Sequence, residues 1–215
     1  MTVRLIAITQ PIIDDCSTPS ELLAYCARVS STANQLKHET GPNLIRSLLR
    51  RKEWSPLEMI SLTMEIVTTR DIARQILRHR SFSFQEFSQR YSKVTEPFVS
   101  RETRLQHPTD RQMSIACDDL DLSDRWHRVQ NDVANVVANG YQWALDNGIA
   151  KEQARAILPE GMTPSRLYMA GTLRSWVHYC DLRCTQGTQK EHRQIAEQAW
   201  AIVCAQIPLM EGVSA

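Results

Sequence analysis

The sequence has no long hydrophobic run and no export signal. No stretch of about eighteen consecutive apolar residues occurs in it, and a membrane-spanning helix needs that length. The first residues, Met1–Ile6, lack the basic, apolar and small-residue regions of a signal peptide. We therefore expect no membrane association and a cytoplasmic location. The formal net charge is only +1, so the broad basic surface of a nucleic-acid-binding protein is not expected either.

Glycine and cysteine patterns that mark common cofactor sites are also missing. Only 7 glycines are present, and none forms the GxGxxG motif of dinucleotide-binding domains or the GxxxxGK[ST] motif of phosphate-binding loops. Any phosphate site must therefore be built from side chains. The 6 cysteines include no Cys-x-x-Cys pair; Cys180 and Cys184 are one helical turn apart, but no second pair accompanies them. We interpret the cysteines as reduced, partly buried thiols and expect no metal site.

The material for a phosphate site is concentrated in one segment, Arg78–Tyr91. It holds three arginines, one histidine, one glutamate and three serines, interleaved with Phe82, Phe84 and Phe87. A solvated loop does not need so many aromatic rings, and a core cannot bury so many unpaired cations. Arginine forms paired hydrogen bonds with phosphate or with a carbonyl edge. The segment therefore predicts an anionic ligand held between cations and rings.

Hydrophobic periodicity predicts an α+β fold with a mainly helical C-terminal half. Ile60–Val67 alternates apolar and polar residues, as a half-buried strand does, and Val3–Ile8 is predicted as another strand. Residues 95–120 are polar and interrupted by prolines, which indicates a loop excursion. We expect residues 1–215 to form one domain, in which a mixed sheet packs against several helices. The predicted helices are Ser20–Ser30, Asn43–Arg51, one that begins near Asp71, Ser123–Asn147, Lys151–Leu158, one that opens at Thr163-Pro164 and runs to Arg183, and Gln189–Ala205.

A second group of cations lies in the predicted helix that ends at Arg183. Arg174 and His178 are one turn apart and share a face, whereas Arg183 falls on nearly the opposite side. Cations on two faces indicate a helix between two pockets or between subunits. The alternative is a set of surface arginines paired with Asp181 and Glu191, and the sequence leaves it open. Three further histidines have no neighbour at metal-ligand spacing and are interpreted as surface residues: His107, His127 and His192.

The segment Arg78–Tyr91 resembles the signature of the flavin-dependent thymidylate synthases, RHRxxSxNExSxRY. The matching residues are Arg78, His79, Arg80, Glu86, Ser88, Arg90 and Tyr91. Further blocks resemble the family in the family's order: Ala27–Ser30, Ser55–Glu58, Ala73–Gln75, Arg155–Pro159 and Leu173–Ser175. The resemblance covers nearly the whole chain outside residues 96–120.

This resemblance implies an enzyme that converts dUMP to dTMP in a homotetramer whose subunits share the active sites. The carbon would come from 5,10-methylenetetrahydrofolate and the reducing equivalents from NADPH, through FAD. The implied FAD-binding residues are Ser55, Arg78, His79, Arg80, Glu86, Thr172, Arg174 and His178. The implied dUMP-binding residues are Gln75, Arg78, Glu86, Ser88, Gln89, Arg90, Arg155 and Arg183. Arg183 matches the arginine that polarises the uracil ring, so it is the implied catalytic residue.

The role that the resemblance gives to Arg183 agrees with elementary chemistry. Negative charge that develops on the carbonyl edge of uracil is stabilised by a guanidinium that stays charged at any working pH. The flavin supplies the hydride and the protein orients it, so no cysteine nucleophile is required. Ser88 is the other candidate nucleophile, but no base is identifiable beside it, and we assign it to binding.

Four positions depart from the pattern of the family. Gln85 replaces the usual asparagine, and Glu53 and Met59 stand where histidines are frequent. Thr172 replaces a frequent asparagine two residues before an implied flavin ligand. These changes leave the implied dUMP arginines untouched and bear on cofactor affinity and folate access.

Two other functions stay open from the sequence alone. One is a related enzyme that acts on another pyrimidine nucleotide or transfers hydroxymethyl, because contacts with the uracil edge cannot be read from sequence. The other is a single-stranded RNA-binding module, in which the interleaved arginines and phenylalanines would neutralise phosphates and stack on bases. The short cationic segment and the near-neutral charge argue against that module.

Overall fold

The computed structural model describes residues 1–212, which form both strands and helices. The strands are β1 Thr2–Ile8, β2 Ser61–Thr69, β3 Ser83–Glu86, β4 Arg104–Gln106, β5 Ser114–Ala116 and β6 Pro164–Thr172. The helices are α1 Pro19–Ala27, α2 Gly41–Arg51, α3 Arg70–Ile76, α4 Leu120–Asp146, α5 Lys151–Ala154, α6 Leu173–Arg183 and α7 Lys190–Gln206. Short 3-10 helices include Ser55–Met59 and Arg155–Ile157. Within residues 1–212, no helix is both long enough and apolar enough to cross a membrane.

Four strands form the main sheet in the order β1-β2-β6-β3. β2 pairs with β6 over its whole length, from Ser61 opposite Thr172 to Thr69 opposite Pro164. The predicted α+β class is confirmed. The sheet itself is antiparallel in all of its described pairings, whereas a mixed sheet was expected. The clean alternation of Ile60–Val67 is itself typical of an antiparallel sheet with one covered face, so this signal was present in the sequence.

The strand β6 corrects the largest error of the sequence-based assignment. Pro164–Thr172 was predicted as the first half of a helix ending at Arg183, and only Leu173–Arg183 is helical. From Arg166 to Met169, exposed and buried side chains alternate: Arg166 and Tyr168 are exposed, and Leu167 and Met169 are buried. This is the two-residue period of a strand. Proline is tolerated as the first residue of a strand, so Pro164 marks the start of β6 and not the first turn of a helix.

The other helices agree with prediction to within a few residues, and local signals explain their ends. Thr18 caps α1 in a capping box with Glu21. Asp119 caps α4, which therefore starts before the expected Ser123. Gly148 follows α4 with a positive φ of 75°, as a helix-stopping glycine does. The predicted Lys151–Leu158 helix is a single α-turn, α5, followed by a 3-10 turn.

The main core brings α6 against the sheet and fixes the start of the segment Arg78–Tyr91. Phe82 is buried, and its ring lies 4.9 Å from Trp176 and 6.0 Å from Tyr179, both in edge-on contact. Gly171 in β6 lies directly beneath it, since a Cβ there would fall 2.4 Å from the Phe82 ring. The close approach of ring and backbone requires glycine at this position.

The excursion between β3 and α4 is partly ordered. It was predicted as a loop, but β4 and β5 form an antiparallel hairpin within it. Arg104 binds Glu191 at the start of α7, and Lys190 binds Glu102 at 2.6 Å. These ion pairs fasten the hairpin to α7, close to the candidate site.

Helix α4 carries an apolar stripe that the rest of the described chain leaves exposed. The stripe consists of Leu122, Trp126, Val129, Val133 and Val136. Its spacing alternates between four and three residues, which places the side chains on one side of the helix.

Candidate active site

The centre of the candidate site is the contact between Arg183 and His79. Arg183 is the last residue of α6, and its Nε donates a hydrogen bond of 3.0 Å to Nε2 of His79. An imidazole nitrogen that accepts a hydrogen bond is unprotonated there. Burial, and then the charge of Arg183, lower the pKa of His79 to about 4, so the imidazole is neutral at physiological pH. Within residues 1–212 the terminal nitrogens of Arg183 have no hydrogen-bond or ion-pair partner, and both are left for a ligand.

Gln75 joins this centre from the end of α3. Its Oε1 lies 3.2 Å from Nδ1 of His192, and its Nε2 donates to Oε1 of Gln189 at 2.8 Å. Nε2 of His192 lies 3.1 Å from the hydroxyl of Tyr179. The predicted residues Gln75, His79 and Arg183 therefore share one polar cluster with three residues that were not predicted there: Tyr179, Gln189 and His192.

His192 was predicted at the surface, and this prediction is wrong. The side chain is completely buried. Burial lowers its pKa to about 3, with the charges of Arg183 and His79 as lesser causes. The signal that identifies it was available, because His192 shares a helical period with the buried Ile195, Ala196 and Ala199 of α7.

Tyr179 packs the cluster from below. Its ring lies 4.9 Å from the His79 ring and 5.8 Å from the His192 ring. Burial raises the pKa of its hydroxyl, which stays protonated. Arg183 therefore lies beside three neutral side chains that hold one another in place, His79, His192 and Tyr179, which is the arrangement of a preorganised site.

The opposite face of α6 carries two of the predicted flavin residues, Arg174 and His178. Arg174 pairs with Glu58 at 2.6 Å, and the His178 ring lies 4.6 Å from the Trp54 ring. The predicted separation of the α6 cations onto two faces is thereby confirmed. The alternative pairing is wrong, since Arg174 pairs with Glu58, Arg183 contacts His79, and the partners of Glu191 are arginines of the excursion.

Thr172 and Ser55 lie at the same end of α6. Thr172 caps the helix by accepting a hydrogen bond of 3.3 Å from the backbone N–H of Ser175. Ser55 opens the 3-10 helix Ser55–Met59, and this short helix packs against α6. The hydroxyl of Thr172 is thus already hydrogen-bonded to the helix backbone. A flavin contact at this residue would have to share that hydroxyl.

A cavity of about 770 Å³ adjoins His178 and Trp54. Its cations come from residues that the motif did not indicate: Arg46, Arg50 and Lys52. Arg46 and Arg50 are one turn apart on the polar face of α2, and that spacing was the available signal. Cations beside aromatic rings form a donor set that fits a ligand carrying both phosphates and a ring system, as FAD does.

Ser88 and Arg90 of the motif lie on a turn that contacts α5. Arg90 pairs with Glu152 at 3.3 Å, and Nζ of Lys151 donates to the carbonyl of Tyr91 at 2.8 Å. Arg155 follows α5 directly, so the turn and Arg155 are neighbours. The hydroxyl of Ser88 has no partner within residues 1–212, and no base accompanies it.

Four further motif residues differ in what they contact. Glu86 accepts a hydrogen bond from Ser165 at 2.8 Å and lies 3.5 Å from Arg70, so its carboxylate is engaged within the fold. Gln89 is buried, and its Nε2 has no partner in the described part of the chain. Arg78 and Arg80 are exposed and, in that same part, make no side-chain ion pair. These two cations have the free guanidinium groups that an anionic ligand requires.

The described residues bring together no group of three or more histidine, cysteine, aspartate or glutamate side chains that would hold a metal ion. Cys16 and Cys180 are buried, and all 6 cysteines are free thiols.

Comparison with known proteins gives consistent matches over almost the whole chain. The family model described as thymidylate synthase complementing protein matches residues 11–209. The flavin-dependent thymidylate synthase of Synechocystis sp. is 48% identical over 213 residues, covering 97% of this chain and 96% of that protein. A probable flavin-dependent thymidylate synthase of Paramecium bursaria Chlorella virus 1 is 42% identical over 208 residues, with 97% and 96% covered.

Solved structures match as well. The UMP/dUMP methylase PolB from Streptomyces cacaoi, bound with 5-Br UMP, superposes with a TM-score of 0.82 at 27% identity. The alignment covers 97% of this chain and 90% of that one. The same methylase bound with 5-Br dUMP gives a TM-score of 0.80 at 28% identity.

Proposed function

The chain belongs to the thymidylate synthase complementing protein family and is a flavin-dependent thymidylate synthase, and we propose that it methylates dUMP to dTMP with FAD as its cofactor. We propose that 5,10-methylenetetrahydrofolate supplies the carbon and NADPH the reducing equivalents. Residues 1–215 would act as one catalytic domain.

The observation that carries this proposal is the way Arg183 is held. His79 accepts a hydrogen bond from Nε–H of Arg183, and the terminal nitrogens of the guanidinium are left for a ligand. Those two nitrogens form a planar donor pair that matches the carbonyl edge of uracil. As charge develops on that edge, Arg183 stabilises it, and the neutral groups around the arginine do not compete for its charge. Arg183 is therefore the proposed catalytic residue.

FAD, when bound and reduced by NADPH, would supply the hydride that the reaction consumes. We propose that the residues around the start of α6 hold it: Ser55, Thr172, Arg174 and His178. Trp54 and His178 offer rings, and the cations of the adjoining cavity offer phosphate donors. The exposed pair of Arg174 and Glu58 opens at little cost, since such pairs contribute little to stability. His79 and Arg80, next to Arg78, would complete the flavin site from the motif.

The phosphate of dUMP requires cations that are not already paired. Arg78 and Arg155 meet this condition in the described chain, and Arg90 has only an exposed partner in Glu152. We propose that these arginines bind the phosphate together with Ser88 and Gln89. Glu86 contributes by holding the strand β3 in place through Ser165.

We also propose a homotetramer with active sites shared between subunits. The apolar stripe of α4 supports this, because an exposed stripe of that length on a helix is typical of an interface. The double variant Val129→Lys/Val133→Lys is expected to lower the mass measured by light scattering and to abolish turnover. Asn131→Lys/Asn135→Lys, on another side of α4, is the matched control and should leave both unchanged. A tetramer that survives the first variant would contradict the proposed interface.

The decisive experiment is tritium release from C5-labelled dUMP, followed by identification of the nucleotide product. Release that depends on FAD, NADPH and methylenetetrahydrofolate, with dTMP as the product, is the expected result. UMP is tested in parallel, because the UMP/dUMP methylase PolB has the same fold. Turnover of UMP without turnover of dUMP would replace the proposed substrate by the ribonucleotide.

Binding of the flavin is tested first by colour. The purified protein is expected to be yellow and to release flavin on denaturation. Arg78→Ala is expected to weaken the binding of both FAD and dUMP, because this residue is assigned to both sites. Weakening of only one of the two affinities would show that the two sites do not share Arg78.

A further inference from the structure

We propose that Gln189 and Glu191 are positioning residues that fix the orientation of the Gln75 amide for the nucleotide. This inference rests on the proposed function, since it assigns Gln75 to the substrate. It concerns a run of hydrogen bonds that begins at Glu191 and passes through Gln189 and Gln75. The run ends at two buried residues, His192 and Tyr179.

The direction of these hydrogen bonds is set at Glu191. A carboxylate only accepts hydrogen bonds. Burial raises the pKa of Glu191, but hydrogen bonds from its backbone N–H, Arg104 and Gln189, together with the charge of Arg101, outweigh it and hold this pKa below its usual value. Gln189 contacts this carboxylate at 3.0 Å and must do so with its Nε2. Its Oε1 is then the atom left to accept from Gln75.

The same logic continues from Gln75 into the core. Because Nε2 of Gln75 donates to Gln189, its Oε1 must face His192 and accept from Nδ1–H. His192 therefore carries its proton on Nδ1 and accepts at Nε2 from the hydroxyl of Tyr179. Every donor points toward Glu191, and a reversal at any single residue would set two donors or two acceptors against each other.

The consequence concerns what Gln75 can present to a ligand. Its amide is held at both ends by Gln189 and His192, so one N–H and one lone pair remain in fixed positions for a ligand. An unpinned amide would turn over freely and present its oxygen where its nitrogen is required. Neither Gln189 nor Glu191 needs to contact the substrate for this effect, and the motif did not indicate either residue.

The experiment is a double-mutant cycle on the flavin-loaded enzyme. Gln189→Met keeps the size of the side chain and removes its hydrogen bonds, and Gln189 is exposed, so the fold should tolerate it. We expect its KM for dUMP to rise about tenfold, the worth of one hydrogen bond, with kcat and FAD affinity within about twofold of wild type. In the Gln75→Met background the same change should have no further effect, because Gln189 acts through Gln75.

Gln194→Met is the matched control, an exposed glutamine on the same helix whose side chain makes no hydrogen bond in the described chain. Its KM should equal that of the wild type. A Gln189→Met enzyme with the wild-type KM, or effects that simply add in the double variant, would overturn the proposal. A kcat loss without a KM change would do the same.

A second measurement separates this inference from the proposed function. Nitrogen-15 NMR of histidine-labelled protein, assigned with the spectra of His79→Gln and His192→Gln, should show His192 with its proton on Nδ1. If the wild-type enzyme turns over neither dUMP nor UMP, the proposed function fails and this tautomer alone decides the inference. A proton on Nε2 of His192 would reverse the run of hydrogen bonds and overturn the proposal.

Discussion

The two faces of α6 carry the same kinds of residue in very different surroundings. The outer face is the one that carries Arg174 and His178. There Arg174 pairs with Glu58, and because each side chain is more than two-fifths exposed, the ion pair is open to solvent. The inner face is the one that carries Arg183. There Arg183 donates a hydrogen bond to the half-buried His79, whose pKa is lowered, and the completely buried His192 lies behind them. One face can exchange its partners at small cost, whereas the other is already arranged before any ligand arrives.

This difference corresponds to two kinds of work. The proposed flavin site has to admit its ligand, and an exposed pair that opens readily suits that proposed role. A guanidinium that stabilises developing charge gains most from surroundings that do not have to reorganise. The inner face should therefore be sensitive to small chemical changes that the outer face tolerates.

Arg183→Lys should give the largest effect. Lysine keeps the charge but lacks both the Nε–H that His79 accepts and the planar fork, so kcat should fall by about a hundredfold or more while FAD stays bound. Single-turnover kinetics and the flavin absorbance check the two halves of this statement. Arg193→Lys, on α7 outside the site, should have no such effect. An unchanged kcat in the Arg183 variant would remove Arg183 from the mechanism.

Gly171→Ala should destabilise the inner face through packing. The new Cβ would meet the Phe82 ring at 2.4 Å, and that ring is wedged against Trp176. We expect the free energy of unfolding to fall by about 1–3 kcal/mol, as overpacked cores generally show. Gly187→Ala is the control, because nothing lies within 4 Å of a Cβ there. Urea unfolding that gives equal stability for both variants would contradict the close packing of Phe82.

The buried histidines should make stability depend on pH. Burial lowers the pKa values of His192 and His79 to about 3 and about 4, below the ordinary histidine value of about 6.5. Below about pH 6.5 the histidines of the unfolded chain bind protons, whereas those of the folded chain stay neutral. The free energy of unfolding therefore decreases as pH falls. The slope should approach about 1.4 kcal/mol per pH unit for each fully neutral histidine. Urea unfolding between neutral pH and pH 5 measures it, and a flat profile would contradict burial of neutral imidazoles.

Glu58→Gln should give the smallest effect. It removes the partner of Arg174 on the outer face, where both side chains are exposed. The free energy of unfolding should change by less than about 1 kcal/mol. A larger loss, measured by the same urea unfolding, would mean that the outer pair is as firmly built as the inner cluster.

Much of the secondary structure was predictable because its causes are local. The alternation of β2, the capping box at Thr18 and the helix stop at Gly148 all act within a few residues. The strand β6 was missed because Thr163-Pro164 satisfies the local rule for a helix start equally well. Pairing with β2 along its whole length decides between the two, and that pairing is not a local property.

The candidate site divides in the same way. The motif supplied His79, the wider resemblance to the family supplied Gln75 and Arg183, and helical geometry alone placed Arg174 and Arg183 on different faces. The burial of His192 was open to prediction from the period of α7, but its partners were not. Its contact with Gln75 joins residues 117 positions apart.

The sequence by itself determined the class of fold, the family motif and which side chains carry charge or hydrogen-bonding groups. Only the tertiary structure decided which of those groups are paired, which are left for a ligand and which imidazoles stay neutral. The physical reason is that pKa values and hydrogen-bond directions depend on burial and on partners. In this protein those partners come from distant segments, as Arg183 and His79, 104 residues apart, demonstrate.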